Sequence, residues 1–314
     1  MLGNFTTDGE AQRENDQIAA DGHPETDGDQ PALELRGEDL VLSYPDSEEP
    51  VIDGESIVAP AGEVTALVGP NGSGKSTLLR GLADQHDLDA GRVLIDGEAV
   101  HDHGTKELAR KLGLLAQERS APDSITVEDL VFHGRYPYRG FFEHVDETDR
   151  EAVERAIDLA GCAHLRKRDV GSLSGGQKQL AWIAMVLAQD PSVLLLDEPT
   201  TFLDLHHQLE VLEIVQTVRE QRNVTVVVVL HDIEQAARLA DRVVVLEEGE
   251  ITARGPPEAV VTEQLLSDVF RIEADVELTE RGPRITPLAP KHADDSDEVA
   301  ESEASSQPVP QQSD

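Results

Sequence analysis

The fold is decided by one glycine-rich stretch, Gly69-Pro70-Asn71-Gly72-Ser73-Gly74-Lys75-Ser76-Thr77. An apolar run, Val64–Val68, comes directly before it, and leucines at helical spacing (Leu78, Leu79 and Leu82) come directly after it. An apolar strand, a glycine-rich turn and an amphipathic helix in this order are typical of a phosphate-binding loop. The sequence therefore predicts a strand, a tight loop and a helix that begins in the loop.

This loop has the residue types that a polyphosphate requires. Glycines let the backbone turn sharply, so that consecutive N–H groups point inward at phosphate oxygens. The N-terminus of the following helix adds a positive potential. Lys75 can reach the β- and γ-phosphates, and the Ser76 hydroxyl can ligate Mg²⁺. Because the full GxxxxGK[ST] pattern is present with the correct flanks, we expect a nucleoside triphosphate rather than an ordinary glycine-rich turn.

A second motif lies further along, where the apolar run Val193–Leu196 ends in the acidic pair Asp197 and Glu198. A buried strand can hold Asp197 rigidly beside the loop, where the carboxylate can support Mg²⁺, commonly through water. Glu198 can polarise the attacking water as a general base. An acidic strand terminus without function is the alternative, and the presence of the loop favours catalysis.

Strand and helix patterns alternate between about residues 35 and 288. Continuous β-branched runs, of which Thr225–Leu230 is the strongest, indicate parallel strands covered by helices on both faces. Strand signals vanish from about residue 117 to 172, where segments such as Asp146–Gly161 favour helix. The prediction is an α/β core with a mostly parallel sheet and an inserted helical subdomain.

The composition limits the possible partners. The chain has 26 Lys and Arg against 63 Asp and Glu, for a formal net charge of -37, which would repel nucleic acid. Residues 1–34 and 289–314 are polar and acidic, and we predict a disordered arm and a disordered tail there. Acidic residues are also dense in the middle, so we predict adaptation to very high salt, which screens self-repulsion.

The single cysteine, Cys162, excludes an intrachain disulfide and favours a reducing compartment. No apolar run approaches the ~18–20 residues of a membrane-spanning helix. The N-terminus has neither the basic region nor the apolar region of a secretory signal. These observations predict a cytoplasmic protein.

The segment Leu173–Gln177, with sequence LSGGQ, precedes a predicted helix from Gly175 to Ala188. Ser174 is a good N-cap, and Gly175 and Gly176 expose the first free N–H groups of that helix, which can grip a γ-phosphate. The segment lies beyond the helical insert and far from Lys75 in sequence. It could therefore face the nucleotide of its own chain or that of a second molecule.

An LSGGQ segment between such a loop and such an acidic strand resembles the signature of ATP-binding-cassette (ABC) ATPases, over about residues 35–288. The resemblance implies the ABC ATPase fold, including an antiparallel β subdomain, and a head-to-tail homodimer that encloses two ATP molecules with Mg²⁺. It also implies roles for individual residues, with Gln177 completing the signature. Gln117 matches the Q-loop glutamine that contacts Mg²⁺ and water, and His231 matches the switch histidine. Asp204 matches the D-loop aspartate at the dimer interface, and Tyr44 matches the aromatic residue that stacks on adenine.

Within the family, His133–Tyr138 (HGRYPY) and Thr200–Gln208 are similar to ATPase subunits of importers for iron–siderophores, haem and cobalamin. This similarity implies transmembrane permease subunits, an external substrate-binding protein, and a location at the cytoplasmic face of the membrane. An aromatic cluster predicted to be exposed would contact the permease, unless it forms a small core beneath the loop. Its members are Tyr136, Tyr138, Phe141 and Phe142.

Three rival functions share some of these motifs. An efflux-pump ATPase would share every catalytic motif and differ only in the helical insert. A DNA-repair ATPase would need coiled-coil arms or a DNA-binding surface, and the negative charge disfavours DNA. A translation factor of this family would carry two cassettes, whereas this chain has one phosphate-binding loop. The transported molecule stays open among siderophore, haem and cobalamin, with ferric siderophore favoured.

Overall fold

The computed structural model describes residues 32–45, 47–117, 119–140 and 144–291. The strands in these ranges are β1 (Leu35–Leu42), β2 (Ile52–Ala59), β3 (Val64–Val68), β4 (Ala90–Ile95), β5 (Glu98–Ala99), β6 (Leu112–Leu115), β7 (Val193–Asp197), β8 (Thr225–Val229), β9 (Arg242–Glu247), β10 (Glu250–Gly255), β11 (Ile272–Thr279) and β12 (Gly282–Pro290). The helices are α1 (Lys75–Leu82), α2 (Thr105–Lys111), α3 (Val127–His133), α4 (Glu147–Leu159), α5 (Gly175–Ala188), α6 (Leu205–Arg222), α7 (Ile233–Leu239), α8 (Pro257–Val260) and α9 (Glu263–Asp268).

A six-stranded sheet forms the centre of the molecule, in the order β10-β9-β3-β8-β7-β6. Only β10 is antiparallel to its neighbour, and the other pairs are parallel. Every residue of β3, β7 and β8 is buried, as expected for apolar strands with helices on both faces. Because parallel strands end at the same edge, the residues that follow these three strands meet there. The predicted parallel core is confirmed.

A four-stranded antiparallel sheet, in the order β2-β1-β4-β5, covers one side of the core. Helix α1 packs between this sheet and the central sheet, and its leucines Leu78, Leu79 and Leu82 are fully buried. This arrangement confirms the antiparallel β subdomain. Strand β2 was not predicted, because Asp53, Gly54 and Glu55 interrupt its apolar pattern.

The insert between β6 and α5 is helical, as predicted. Helices α3 and α4 pack on α5, and their apolar side chains share one core with the other face of the central sheet. A buried ion pair joins Arg135 Nε to Asp149 Oδ1 at 2.9 Å, and Arg135 Nη1 donates to the Ala188 carbonyl at the end of α5. These contacts tie the insert to the helix that begins at the LSGGQ segment.

The C-terminal part consists of α8, α9 and a hairpin formed by β11 and β12. The two strands of the hairpin are antiparallel. Within the described part of the chain, no helix is both long and apolar enough to cross a membrane. The predicted disordered segments, 1–34 and 289–314, lie outside the described residues except for residues 32–34 and 289–291.

Candidate active site

The glycine-rich loop connects β3 to α1 with a backbone that only glycine adopts easily. Gly69, Gly72 and Gly74 have φ angles of 150°, 80° and 97°. A Cβ atom on Gly69 would lie 2.0 Å from the carbonyl oxygen of Leu246. The loop is therefore pressed against the end of β9, and Gly69 is required both by its φ angle and by this close approach.

Lys75, the first residue of α1, is buried, and its ammonium group turns back over the loop. Its Nζ donates to the carbonyl oxygens of Gly69 (2.9 Å) and Pro70 (2.7 Å). Burial lowers the pKa of Lys75 from its ordinary value, and the carboxylates of Glu198 and Asp197 oppose this shift. Lys75 Nζ is thus held over the carbonyl oxygens of the loop, on the side of Glu198 and Asp197.

Asp197 ends β7 and lies against the loop, as predicted. The Ser76 hydroxyl donates to Asp197 Oδ1 at 2.7 Å. Oδ2 is buried and has no hydrogen-bond partner among the described residues, with Arg80 Nη2 3.7 Å away. Burial raises the pKa of Asp197, against the hydrogen bond from Ser76 and the charges of Arg80 and Lys75. A hydroxyl and a carboxylate oxygen without a partner, side by side, fit Mg²⁺ or its bound water.

Glu198, the next residue, is the meeting point of the predicted catalytic side chains. Gln117 Nε2 donates to its Oε2 at 2.7 Å, and His231 Nε2 lies 2.7 Å from its Oε1. The Thr201 hydroxyl donates to Oε2 at 3.2 Å. Glu198 has a φ angle of 49°, a conformation that is costly for a residue with a side chain. The fold therefore holds this carboxylate in a defined place at the edge of the sheet.

A cleft of about 300 Å³ opens between the loop and Tyr44. The Tyr44 hydroxyl is 3.2 Å from Thr77 Oγ1, and its ring lies 4.9 Å from the His86 ring at an angle of 58°. Tyr44 is 41% exposed, so one side of its ring is open to a stacking partner at the mouth of the cleft. The lining residues are Tyr44, Val51, Asn71, Gly72, Gly74, Lys75, Ser76, Thr77, Glu198 and His231.

The LSGGQ segment lies elsewhere. Ser174 caps α5 by accepting a hydrogen bond from the backbone N–H of Gln177, and the Gln177 side chain accepts one from the Ser174 N–H, both at 3.3 Å. Gly176 is buried against His207, whose Cδ2 would be 2.1 Å from an added Cβ. Ser174 and Gly175 are exposed. Within the part of the chain that the structure describes, none of these residues lines the cleft.

Asp204 is also remote from the cleft. It caps α6 by accepting a hydrogen bond from the His207 N–H at 3.0 Å, and its carboxylate lies 2.9 Å from His207 Nδ1. The hydrogen bonds from His207 lower the pKa of Asp204. The neighbouring Phe202 is 97% exposed. The structure thus gathers Gln117, Asp197, Glu198 and His231 at the loop, and leaves Asp204 and the LSGGQ segment on a separate surface.

Several residues near the site were not predicted. Arg80 lies on α1 beside Asp197, Thr201 bonds Glu198, and Arg119 bonds Gln179 of α5. Burial lowers the pKa of Arg119 to about 10, while Asp197 opposes that shift. In the sequence, these arginines are marked only by their proximity to predicted site residues. Arg80 lies five residues after Lys75, and Arg119 lies two residues after Gln117.

The predicted aromatic cluster is only partly exposed. Tyr136 is 71% exposed, with Lys106 Nζ 5.1 Å from its ring centroid. The prediction is wrong for Tyr138, which is half-buried: the guanidinium carbons of Arg135 and Arg110 lie 3.8 and 5.1 Å from its ring centroid. Burial raises the pKa of Tyr138. The other two members, Phe141 and Phe142, lie outside the described residues.

Comparison with known proteins agrees with this geometry. Residues 52–201 match the family model described as ABC transporter. The ferric enterobactin transport ATP-binding protein FepC of Escherichia coli (strain K12) is 44% identical over 75% of this chain and 86% of its own length. The petrobactin import ATP-binding protein FpuD of Bacillus anthracis is 45% identical over 79% of this chain and 89% of its own.

Solved structures show the same fold. One is an inward-facing conformation of a transporter described as of the metal-chelate type, with a TM-score of 0.70 and 28% identity over 82% of this chain and 98% of that one. Another is the dimeric structure of MJ0796, a bacterial ABC transporter cassette, with a TM-score of 0.63 and 27% identity over 71% of this chain and 98% of that one. The chain therefore belongs to the ABC transporter family, as an ATP-binding subunit that hydrolyses ATP.

Proposed function

We propose that this chain powers the import of a ferric siderophore. The observation that carries the proposal is its 44–45% identity to two import subunits, which serve different siderophores, over most of their length. The His133–Tyr138 segment, similar to the same group, lies in the helical insert with His133 and Tyr136 exposed. Haem and cobalamin importers are the nearest alternatives, and an efflux pump is a more distant one.

The chemistry follows from the cleft. The loop N–H groups and Lys75 would hold the β- and γ-phosphates of ATP, and Tyr44 would stack on the adenine. Ser76 and Asp197 would hold Mg²⁺, with Gln117 at its outer side, and the bound ion would neutralise charge on the phosphate oxygens. Asn71, Gly72 and Thr77 would complete the lining.

Glu198 is placed to act as the general base. Its carboxylate would take a proton from a water molecule as the oxygen of that water attacks the γ-phosphorus and ADP leaves. His231 and Gln117, which contact the two carboxylate oxygens, would orient Glu198 and contact the γ-phosphate. All three side chains lie at the carboxyl edge of the sheet, within reach of the loop.

The cage around the γ-phosphate would be completed by a second copy of the chain. Ser174 and Gly175 are exposed at the start of α5, where the N–H groups of Gly175 and Gly176 would be available to a phosphate, and none of these residues lines the cleft of its own loop. A head-to-tail dimer would bring them to the partner's phosphates, with Asp204 at the interface. Binding of ATP would then close the dimer, and hydrolysis would release it.

Motion of the dimer would reach the permease through the helical insert. Tyr136 and Lys106 form an exposed aromatic and cationic surface on an otherwise acidic protein. Such a surface fits a permease segment that faces the cytoplasm. The chain would then lie at the membrane only through its partners, and an external binding protein would select the substrate.

The proposed domain, about residues 35–288, would carry this activity, and the acidic segments on either side would keep the protein soluble. The density of carboxylates fits a cytoplasm of high salt. A melting temperature that rises with KCl concentration would support this proposal, and one that does not change with KCl would contradict it.

The decisive experiment is a deletion of the gene in the source organism, followed by uptake of labelled compounds. We expect lost uptake of a ferric siderophore and normal uptake of labelled cobalamin. Complementation with the wild-type gene should restore uptake, whereas the Glu198→Gln variant should not. Normal uptake of every ferric siderophore tested, or accumulation of a compound that wild-type cells expel, would contradict the proposal.

A further inference from the structure

Arg119 lies two residues beyond Gln117 and has no role in the mechanism above. Its Nη2 donates to Gln179 Oε1 at 2.9 Å. Its Nη1 is buried and has no hydrogen-bond partner among the described residues. A buried guanidinium is costly unless its donors are paired, so this arginine is a poor choice for stability alone.

Gln179 continues the connection. It lies one turn into α5, directly after the LSGGQ segment, and is only 7% exposed. Its Nε2 donates to the carbonyl oxygen of Pro199 at 2.7 Å, and Pro199 follows Glu198. One part-buried and one buried hydrogen bond thus join Arg119, helix α5 and the backbone that follows Glu198.

This connection ends at Pro199, directly after a residue with an unfavourable backbone conformation. Glu198 has a φ angle of 49°, which persists only where surrounding contacts enforce it. The Gln117 and His231 side chains hold the carboxylate, and the Gln179 amide holds the carbonyl of the next residue, Pro199. A shift of α5 would therefore move the peptide of Pro199 together with the Q-loop.

We propose that Arg119 and Gln179 are positioning residues that align Glu198 when the signature helix engages a nucleotide. The proposal rests on the roles proposed above for Glu198 and for the LSGGQ segment. Arg119 couples the Q-loop to α5, and Gln179 passes the position of α5 to Pro199. Hydrolysis is thereby linked to closure of the dimer, whereas nucleotide binding by the loop is not.

The test is steady-state ATP hydrolysis by the purified full chain with Mg²⁺, together with equilibrium binding of a fluorescent ATP analogue. We expect Arg119→Met to lower kcat by about tenfold, because a small misplacement of a catalytic group is costly, with KM and analogue binding within about twofold. Arg119→Lys, which retains one donor, should recover part of kcat. Arg92→Met is the matched control, since Arg92 pairs with Glu38 in the antiparallel sheet, away from the site.

The variant Gln179→Glu tests the hydrogen bond to Pro199 separately from the hydrogen bond with Arg119. A carboxylate still accepts from Arg119 but cannot donate to Pro199, so we expect the same loss of kcat as in Arg119→Met. In the double variant Arg119→Met/Gln179→Met, the loss should be no larger than in Arg119→Met alone or Gln179→Met alone, because both residues act in series.

Unchanged kcat in Arg119→Met, additive losses in the double variant, or parallel loss of kcat, analogue binding and melting temperature would overturn the proposal. The last result would indicate a role in stability only. The assay uses no permease or siderophore, so normal uptake of ferric siderophores in the deletion strain would remove the import assignment without affecting this test.

Discussion

The two surfaces proposed to bind phosphate differ in how far the chain itself completes them. The loop side, formed by residues 69–77 with Asp197 and Glu198, is dense with internal hydrogen bonds from Lys75, Ser76 and Gln117. The signature side, residues 174–177, makes the local bonds of a helix cap and accepts one bond from Arg168 Nη1 at Gln177 Oε1, 3.3 Å away, and it leaves Ser174 and Gly175 exposed. The loop side thus brings together the side chains proposed for catalysis, whereas the signature side is a capped helix start.

The difference follows from how each surface is held. Three parallel strands end together at the loop side, so its side chains are fixed by the core of the sheet. The signature side is fixed by the capping box of α5 and by the contact of Gly176 with His207. We therefore expect loop-side changes to act on chemistry within one chain, and signature-side changes to act across a dimer.

The largest effect is expected on the loop side, from Glu198→Gln. The amide keeps the size of the side chain but cannot accept a proton from water, so kcat should fall by about 10²- to 10⁴-fold. Binding of ATP should persist, and the variant should accumulate as a closed dimer with Mg-ATP. Light scattering with size-exclusion chromatography measures the dimer, and a phosphate-release assay measures turnover.

Lys75→Ala is the control for that experiment, because on its own it should lose ATP binding and therefore should not accumulate as a closed dimer. Turnover within tenfold of wild type in Glu198→Gln would contradict the role of this carboxylate as base. A monomeric Glu198→Gln variant that still binds ATP would instead contradict the dimer.

A smaller effect is expected on the signature side, from Gly176→Ala. The new methyl group would overlap the His207 ring, at 2.1 Å from Cδ2, so α5 or α6 must shift. We expect a loss of stability of about 1–3 kcal/mol, as for other overpacked sites, and a fall in ATP hydrolysis of about tenfold. Chemical denaturation and the phosphate-release assay measure the two quantities.

Gly175→Ala provides the matched control for stability, since among the described residues no atom beyond its chain neighbours and its own helix backbone lies within 4 Å of an added Cβ. Alanine also favours helix more than glycine does, so the free energy of unfolding should be unchanged or slightly higher. Equal destabilisation by the two substitutions would show that the contact with His207 does not constrain the segment.

The same two surfaces show which features the sequence can predict. The loop, the cap of α5 and the position of Asp197 depend on short stretches whose residue types set the backbone, such as glycine at φ angles that other residues avoid. The gathering of Gln117, Glu198 and His231 was predicted from the family resemblance, and the structure brings them together. Their roles in catalysis stay predictions.

Features that depend on packing between distant segments were missed. Tyr138 is half-buried because Arg110, on α2, and Arg135 stack on its ring. The bond between Arg119 and Gln179 joins residues 60 positions apart. Strand β2 contains Asp53 and Glu55, which interrupt the alternation of apolar and polar residues. Pairing with β1, and not such an alternation, stabilises this strand. No local pattern in the sequence records such contacts.

The last prediction tests whether the two surfaces work on one nucleotide or on two. Lys75→Ala disables the loop side, and Ser174→Arg blocks the signature side, so either protein alone should be inactive. When the two are mixed, about half of the dimers should contain one chain of each kind if pairing is random. Each such dimer has one site with an intact loop and an intact signature. Hydrolysis should therefore return to about a quarter of the wild-type rate.

A mixture of Lys75→Ala with Glu198→Gln is the matched control, because both changes lie on the loop side and every site in a mixed dimer then carries one of them. Recovery in the first mixture alone would mean that each nucleotide is held by the loop of one chain and the signature of the other. Recovery in neither mixture, with mixed dimers present by native mass spectrometry, would mean that each chain closes its own site. In that case, a movement of the helical insert would have to bring the signature side of a chain to the loop of the same chain.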